Sequence, residues 1–350
     1  MAKYVRIASR LVGEDQPCFI IAEAGVNHNG NLDLAKQLID VAAASGADAV
    51  KFQTFRTERL VTATAPMAKY QVANLGIRHS QAQLLRNLEL SEEAHHILVD
   101  YAVERGLIFL STPFDELSSD FLEQLNVPAF KVPSGELTNL SFLHHLAQKG
   151  KPLIISTGMA TLAEVEAAVE AIESAGCEDY VLLHCVSNYP AEVHDVNLRA
   201  MLTLRTAFGV PVGYSDHTIG TSVALAAVAM GACIIEKHFT LDRNLPGPDH
   251  KASATPEELK NLIESIRLIE RAMGDGRKRP APSERDTILI ARKSLVASCD
   301  IHPGTRIEEC HLALRRPGTG LPPNFKPYLL GRTARLYIRA GTPITLDMVA

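Results

Sequence analysis

Eight short apolar segments rich in β-branched residues recur from residue 19 onward, and each is followed by the 3.6-residue spacing of an amphipathic helix. This alternation leaves few folds open, because strands that alternate with helices form a parallel sheet covered by helices. Capping boxes mark two helix starts, Thr161 with Glu164 and Thr255 with Glu258. The predicted strands are residues 19–24, 49–53, 108–112, 129–133, 152–157, 180–186, 210–215 and 233–239.

Eight such units close into a (βα)8 TIM barrel or spread into an open, doubly wound α/β sheet. The glycine pattern GxGxxG of a dinucleotide-binding sheet follows none of the predicted strands, and polar residues end every strand rather than gathering at one crevice. Both observations favour the barrel. We therefore expect a TIM-barrel catalytic domain over residues 1–274, in which residues 1–18 form an N-terminal cap segment.

The sequence changes character after the eighth predicted helix. Residues 275–289 are rich in glycine, proline and charge, which is typical of an exposed linker. Residues 290–350 predict a small, mostly β domain, and within it IHPGTRI (301–307) matches IRAGTPI (338–344). The match indicates a pseudo-symmetric β module, although two similar turns can also arise by chance.

Composition excludes several classes of partner. The net charge of −5 provides no basic excess for binding nucleic acid. The longest apolar run, residues 223–235, is too short to span a membrane, which needs about 20 residues. Six scattered cysteines without a CxxC pair are typical of reduced thiols. With no apolar stretch of a signal peptide near residue 1, we expect a soluble, cytoplasmic protein without nucleic-acid or membrane partners.

Polar residues end all eight predicted strands, which is where a TIM barrel builds its active site. Lysines within otherwise apolar strands need a carboxylate or an anionic ligand as partner. In strand order the polar residues are Glu23; Lys51 and Gln53; Ser111 and Thr112; Lys131, Ser134 and Glu136; Ser156 and Thr157; Ser187, Asn188 and Tyr189; Ser215, Asp216 and His217; and Glu236, Lys237 and His238, with Asp249 following.

These residue types predict an anion site beside a metal. Lys51 and Lys131, with neighbouring hydroxyl groups, can neutralise a phosphate and a carboxylate. A single histidine usually has a structural role, but His217 and His238 end adjacent strands and can converge on one divalent ion. Carboxylates near these cations can orient water or move protons. The set predicts metal-assisted carbonyl addition, a chemistry shared by several barrel aldolases and synthases.

The chain also resembles the sialic acid synthase family, whose members condense phosphoenolpyruvate with an N-acylated mannosamine-type sugar. The resemblance covers essentially the whole chain. RRPGTGL (315–321) is similar to the signature of the family's C-terminal antifreeze-protein-like SAF domain. The other matching strings are IAEAGVNHNG (21–30), AVKFQT (49–54), STPFD (111–115), KVPSGE (131–136), ISTGMA (155–160), SNYP (187–190), YSDHTIG (214–220) and EKHFT (236–240).

The resemblance implies roles for individual residues. Glu23, Glu136 and Lys51 match catalytic positions. His217 and His238 match metal ligands, with Mn2+ the expected ion and Mg2+ or Co2+ the alternatives. The positions implied for phosphoenolpyruvate are Lys51, Gln53, Thr112, Lys131, Ser134, Ser156 and Ser215. The positions implied for the sugar are Ser187, Tyr189, Asp249 and Arg316.

The motifs leave three acceptor sugars open. Some bacterial N-acetylneuraminate synthases carry asparagine where this chain has Ser187. The first expectation is an N-acetylneuraminate synthase. The alternatives are a legionaminic or pseudaminic acid synthase that uses a 2,4-diacetamido-6-deoxy sugar, and a synthase that uses a 6-phosphorylated sugar. The resemblance further implies a domain-exchanged homodimer, in which the partner subunit's Arg316 contacts the N-acyl group of the sugar.

Three rival functions were weighed against the synthase. A Schiff-base lyase would use Lys131 or Lys237 as nucleophile, but the histidine pair would then have no role. A condensation of phosphoenolpyruvate with a pentose or tetrose phosphate would share most of the site. An SAF-type binding module would leave the cationic strand ends unexplained.

Overall fold

The structure is a computed structural model that describes residues 4–75 and 80–350. The chain forms two compact units, Met1–Gly274 and Asp275–Ala350. None of the helices in the described ranges is long and apolar enough to cross a membrane.

Eight parallel strands form a nearly closed barrel in the first unit. Their order is β5-β4-β3-β10-β9-β8-β7-β6, so the first and last barrel strands are neighbours and Phe19 pairs with Ile234. This pairing confirms the predicted TIM barrel, because an open doubly wound sheet does not join its first strand to its last. The strands are β3 Phe19–Gly25, β4 Ala49–Thr54, β5 Ile108–Pro113, β6 Phe130–Val132, β7 Leu153–Ser156, β8 Tyr180–Cys185, β9 Val212–Asp216 and β10 Ile234–His238.

A cluster of apolar side chains fills the amino-terminal end of the barrel interior. Phe19, Leu110 and Val181 belong to this cluster, and Val5 and Ile7 of an antiparallel hairpin, β1 Tyr4–Ile7 with β2 Arg10–Gly13, join it. Successive strand residues face opposite sides, so the alternate positions pack outward under the helices. Inward positions are therefore free to be polar only toward the carboxyl ends of the strands.

Helices surround the barrel, and the two predicted capping boxes are present at Thr161 with Glu164 and at Thr255 with Glu258. These helix starts are encoded locally, because each cap uses residues only three positions apart. The helices are α1 Leu32–Ser45, α2 Thr57–Leu60, α3 Lys69–Leu75, α4 Gln81–Arg86, α5 Glu92–Glu104, α6 Glu116–Gln124, α7 Leu140–Ala147, α8 Leu162–Ser174, α9 Ala200–Phe208, α10 Ser222–Ala229 and α11 Pro256–Met273.

The second unit is a small β module in which the two matching sequences pair with each other. The backbone amides of Ile301 and Ile338 each donate to the other's carbonyl at 2.9 Å. Ile307 and Ile344, at the far ends of the two copies, share one buried cluster. Part of the segment expected to be linker is helical, since a helix begins at residue 285. The elements are α12 Arg285–Ala291, β11 Ser294–Ala297, β12 Leu312–Arg315 and α13 Lys326–Leu329.

Candidate active site

A buried cluster of two lysines and two glutamates lies at the carboxyl ends of the barrel strands. Lys51 on β4 places its Nζ 2.7 Å from Oε2 of Glu23 and 3.7 Å from Oε2 of Glu236. It also donates to Oγ1 of Thr112 at 2.8 Å. Glu23 and Lys51 are direct partners in the register of β3 and β4, so the barrel itself brings opposite charges together.

Lys131 on β6 reaches the same cluster. Its Nζ lies 3.8 Å from Oε1 of Glu236 and donates to Oγ of Ser156 at 2.7 Å. Ser215 donates to Oε1 of Glu236 at 2.9 Å. Glu236 therefore joins both lysines, although the strand-end reasoning gave it no role. Its spacing in the sequence could have identified it, because Glu236 lies two positions before His238 and so faces the same side of β10.

Burial shifts the pKa values within this cluster in different directions. Desolvation raises the pKa of Glu23 to about 7, against the lowering effect of Lys51. Burial also disfavours the charged form of Glu236, but Lys131 and Lys51 outweigh it and hold the pKa of that carboxyl below its usual range. Desolvation lowers the pKa of Lys131. Glu23 can thus hold or release a proton near neutral pH beside fixed positive charge, which suits a general acid–base.

Three small side chains crowd around Gly158 next to Lys131. The backbone amide of Gly158 donates to Oγ of Ser134 at 3.0 Å, and that Oγ lies 3.1 Å from Sγ of Cys185. A Cβ at Gly158 would lie 2.4 Å from Oγ of Ser187 and 2.8 Å from Oγ of Ser134. The position therefore requires glycine, and it sets Ser134 and Ser187 on one wall of the site. Sequence reasoning missed Cys185, which is the direct partner of Ser215 in the register of β8 and β9.

His217 and His238 lie together as predicted, with ring centroids 5.6 Å apart. Nδ1 of His217 lies 2.7 Å from the carbonyl of Val186, so the ring donates there, and its Nε2, 3.5 Å from Oγ of Ser215, carries the lone pair that could bind a metal. Nδ1 of His238 is buried, and no group in the described part of the chain forms a hydrogen bond with it. Burial lowers the pKa of both rings and favours their neutral forms, the forms that bind metals.

This pair fits a divalent ion that takes two ligands from the protein. Within residues 4–75 and 80–350 no group of three or more histidine, cysteine, aspartate or glutamate side chains has the arrangement of a complete metal site. Two imidazoles would thus leave the remaining coordination positions to water and substrate, the open arrangement of a catalytic site.

Aromatic and acidic side chains form the outer wall of the site. The ring of Tyr189 lies 4.2 Å from that of His217, and the ring of Tyr70 on α3 packs at 5.2 Å from Tyr189. Asp249 is buried beyond this wall, and desolvation raises its pKa to about 6. The wall presents apolar faces and a carboxyl group, which together can hold a polyhydroxylated ligand with apolar substituents.

The remaining predicted residues are more exposed. Gln53 on β4 and Glu136 in the turn after β6 are half-buried, and Glu136 accepts a hydrogen bond from Asn139 at 2.8 Å. Arg316 is exposed on the second unit, just after β12. Lys237, considered as a lyase nucleophile, is bound to Asp216 with an Nζ–Oδ2 distance of 2.7 Å. It faces away from the barrel interior, since its neighbours Glu236 and His238 face inward.

Comparisons with known proteins identify the family of this chain. Residues 38–278 match the NeuB family, and residues 292–350 match the SAF domain. The chain belongs to the NeuB family. It is 50% identical over 341 residues to the N,N'-diacetyllegionaminic acid synthase of Legionella pneumophila, a match that covers 96% of each chain. It is 36% identical over 346 residues to the N-acetylneuraminate-9-phosphate synthase of Homo sapiens, covering 97% of this chain and 95% of the human one.

A solved structure supports the same assignment. The N-acetylneuraminic acid (sialic acid) synthetase of Leptospira borgpetersenii, in complex with citrate, superposes with a TM-score of 0.73 at 35% identity. The match covers 82% of this chain and 96% of that one. The predicted sialic acid synthase family, with its C-terminal SAF domain, is thereby confirmed. So is the predicted enzyme class, a nonulosonic acid synthase rather than a lyase or a binding module.

Proposed function

We propose that this NeuB-family chain condenses phosphoenolpyruvate with 2,4-diacetamido-2,4,6-trideoxymannose to give N,N'-diacetyllegionaminic acid and phosphate. The observation that carries the choice of sugar is the 50% identity over nearly the full length to a synthase of that product, against 36% to the human synthase of a 9-phosphate. The proposal replaces the N-acetylneuraminate product expected first from the motifs.

The lysine cluster supports phosphoenolpyruvate as the common substrate. Lys51 and Lys131 are buried cations whose present partners, Glu23 and Glu236, balance them only while both carboxyls are ionised. With Glu23 protonated the cluster carries a net positive charge at the bottom of the site. Lys51, Lys131 and the hydroxyl groups of Thr112, Ser134 and Ser156 then offer charge-assisted hydrogen bonds to a phosphate and a carboxylate.

The two histidines support a divalent metal, and we propose Mn2+, held by His217 and His238. When bound, such an ion supplies Lewis-acid polarisation of a carbonyl oxygen. The protein's own part is to present two neutral imidazoles, one of them oriented by the Val186 carbonyl, beside an anion site.

The proposed reaction forms one C–C bond, adds one water molecule and breaks the C–O bond to phosphate. C3 of phosphoenolpyruvate attacks the aldehyde carbon of the open-chain sugar, and the new alkoxide takes a proton. Water adds at C2 of the resulting oxocarbenium-like intermediate and loses one proton. The C2–O bond to phosphate then breaks as the C2 hydroxyl becomes the keto group, and the proton of that hydroxyl leaves with the phosphate. Glu23, with its raised pKa, can give the first proton, and Glu136 can receive one from the attacking water. Lys51 and Lys131 stabilise the charge that moves to the phosphate.

A sugar panel tests the proposal. We expect kcat/KM for phosphate release, measured with phosphoenolpyruvate and Mn2+, to be at least about tenfold higher with 2,4-diacetamido-2,4,6-trideoxymannose than with N-acetylmannosamine or its 6-phosphate. One lost substituent contact is worth roughly that factor. EDTA should abolish the release. A preference for either N-acetylmannosamine substrate would disprove the choice of sugar while leaving the synthase intact.

We further propose that the enzyme acts as a homodimer in which the partner subunit's Arg316 completes the sugar site. Support comes from apolar side chains exposed around the loops that follow β7, β8 and β9, a surface that a second copy would cover. The exposed residues are Met159, Leu162, Val193, Leu202 and Ile219.

The six free cysteines support a reducing compartment, the cytoplasm, as the place of reaction.

Subunit mixing tests this arrangement. Arg316→Ala should raise KM for the sugar about tenfold or more with little change in KM for phosphoenolpyruvate, because a charged contact to the sugar is lost. Mixing Arg316→Ala with the inactive His217→Ala chain should restore activity, since one of the two mixed sites would hold both intact groups. Absence of restoration in a verified mixed dimer would show that each site is built from one chain.

A further inference from the structure

A second buried ion pair lies directly behind the two histidines, on the outer side of the strands that carry them. Nζ of Lys237 lies 2.7 Å from Oδ2 of Asp216, and the two residues are 2% and 1% exposed. They are direct partners in the register of β9 and β10. The pair therefore joins the carboxyl ends of the two strands that end in His217 and His238.

The pair also holds the backbone on both sides of His217. Oδ1 of Asp216 accepts from the backbone amide of Thr218 at 2.9 Å and from its Oγ1 at 2.7 Å. Nζ of Lys237 donates to the carbonyl of Thr218 at 2.5 Å. His217 thus sits between two residues that are tied to each other and to the neighbouring strand. Every group in this network is buried, so water does not compete for its hydrogen bonds.

The ring position of His238 depends on the same network through the backbone of β10. Among residues 4–75 and 80–350 its Nδ1 finds no hydrogen-bond partner, so the ring position follows from the backbone at the end of β10 and from packing. A Cβ at Gly25 would lie 3.2 Å from Cε1 of this ring, which shows how closely one side is packed. Lys237, the residue before it, anchors that backbone to β9.

We propose that the Asp216–Lys237 pair is a positioning device that sets the separation and orientation of His217 and His238. The proposal rests on the metal site proposed above. Neither charged group faces the interior, because neighbouring residues of a strand point to opposite sides, so the pair acts through the backbone. An ion with two protein ligands is sensitive to their separation, since few other protein groups can compensate for a shift.

A purely stabilising role accounts less well for the pair. Buried ion pairs are weak contributors to stability, because desolvation offsets much of the attraction between the charges. Well-packed apolar residues would serve at least as well at these outward positions. What an ion pair adds is directional hydrogen bonding, and here three of its bonds end on Thr218, the residue after His217, while Tyr214 also donates to Oδ1 of Asp216 at 3.3 Å.

The test measures metal affinity separately from stability. In full-length protein, Mn2+ binding is followed by the electron paramagnetic resonance signal of the free ion, and Tm by circular dichroism. Lys237→Met and Asp216→Asn should each raise the Kd for Mn2+ by about 10–100-fold, the usual effect of losing a group that orients metal ligands. Asp216→Asn is nearly isosteric, so a folded variant remains if Lys237→Met fails to fold.

A matched control removes an ion pair from the opposite end of the barrel. Nη2 of Arg267 lies 2.9 Å from Oδ2 of Asp48, which precedes β4. Arg267→Met should lower Tm and leave the Kd for Mn2+ unchanged. If the wild-type protein binds no Mn2+, the proposed metal site fails. If the wild type binds and folded Asp216→Asn binds equally tightly, the metal site stands and the positioning role is wrong.

Discussion

Replacing His217 or His238 with alanine is expected to abolish phosphate release and Mn2+ binding together. The two rings lie 5.6 Å apart between centroids, and no complete set of three side-chain ligands exists in the described ranges to take over. Lewis-acid assistance contributes several kcal/mol to a barrier, so kcat should fall by about 10³-fold or more. Equilibrium dialysis with Mn2+ and a phosphate-release assay on the same sample measure both effects.

His184 on β8 provides the matched control for these variants. Its Nε2 faces the carbonyl of Val196 at 2.6 Å, and it is the register partner of Tyr214, which packs outward under the helices. His184→Ala should retain Mn2+ binding and most of the activity, although it leaves a small cavity. Activity that survives in His217→Ala or His238→Ala would remove the metal assignment.

Replacing Lys51 with methionine is expected to reduce kcat/KM for phosphoenolpyruvate by about 10³-fold, the upper range for one lost charge-stabilising group. Lys51 contacts Glu23, Glu236 and Thr112, so its removal takes away the central cation of the cluster. The variant should still fold. Burial already raises the pKa of Glu23 to about 7, and without Lys51 that pKa rises further, so Glu23 becomes neutral instead of an unpaired buried charge.

Steady-state kinetics in both substrates would measure this loss. Lys149→Met is the matched control, because it removes a lysine that pairs with Asp120 and Glu123 near the surface, with Nζ 2.5 and 2.7 Å from their oxygens. That variant should keep its kinetic constants within about twofold, as surface ion pairs have small effects. A loss below tenfold in Lys51→Met would show that the lysine is a structural partner of Glu23 only.

Strand positions were predictable because their signals are local. All eight barrel strands begin and end within two residues of the predicted limits; the strand predicted at 108–112, for example, is Ile108–Pro113. A short run of β-branched residues between turn-forming residues identifies a strand from about ten consecutive residues. The internal repeat indicated a pseudo-symmetric β module, and the structure adds that Ile301 pairs with Ile338 within it.

The sequence predicted less well which strand residues face the barrel interior. Glu236 and Lys237 both ended a predicted strand, and the structure shows that Glu236 joins the active-site cluster while Lys237 pairs outward with Asp216. Cys185 was predicted only to be one of six reduced thiols, yet its Sγ lies 3.1 Å from Oγ of Ser134. Strict counting from His238 or Ser187 in steps of two would have placed Glu236 and Cys185 on the inner face.

The amino-acid sequence by itself determined the alternation of eight strands and helices, the separate β module, and the polar residues at the carboxyl ends of the strands. Only the tertiary structure decided which of these residues meet. Glu23 pairs with Lys51 and with His238 because β3 lies between β4 and β10, and that neighbourhood exists only when the first and last strands join. Barrel closure depends on hydrogen bonds between segments some 200 residues apart, which no local periodicity encodes.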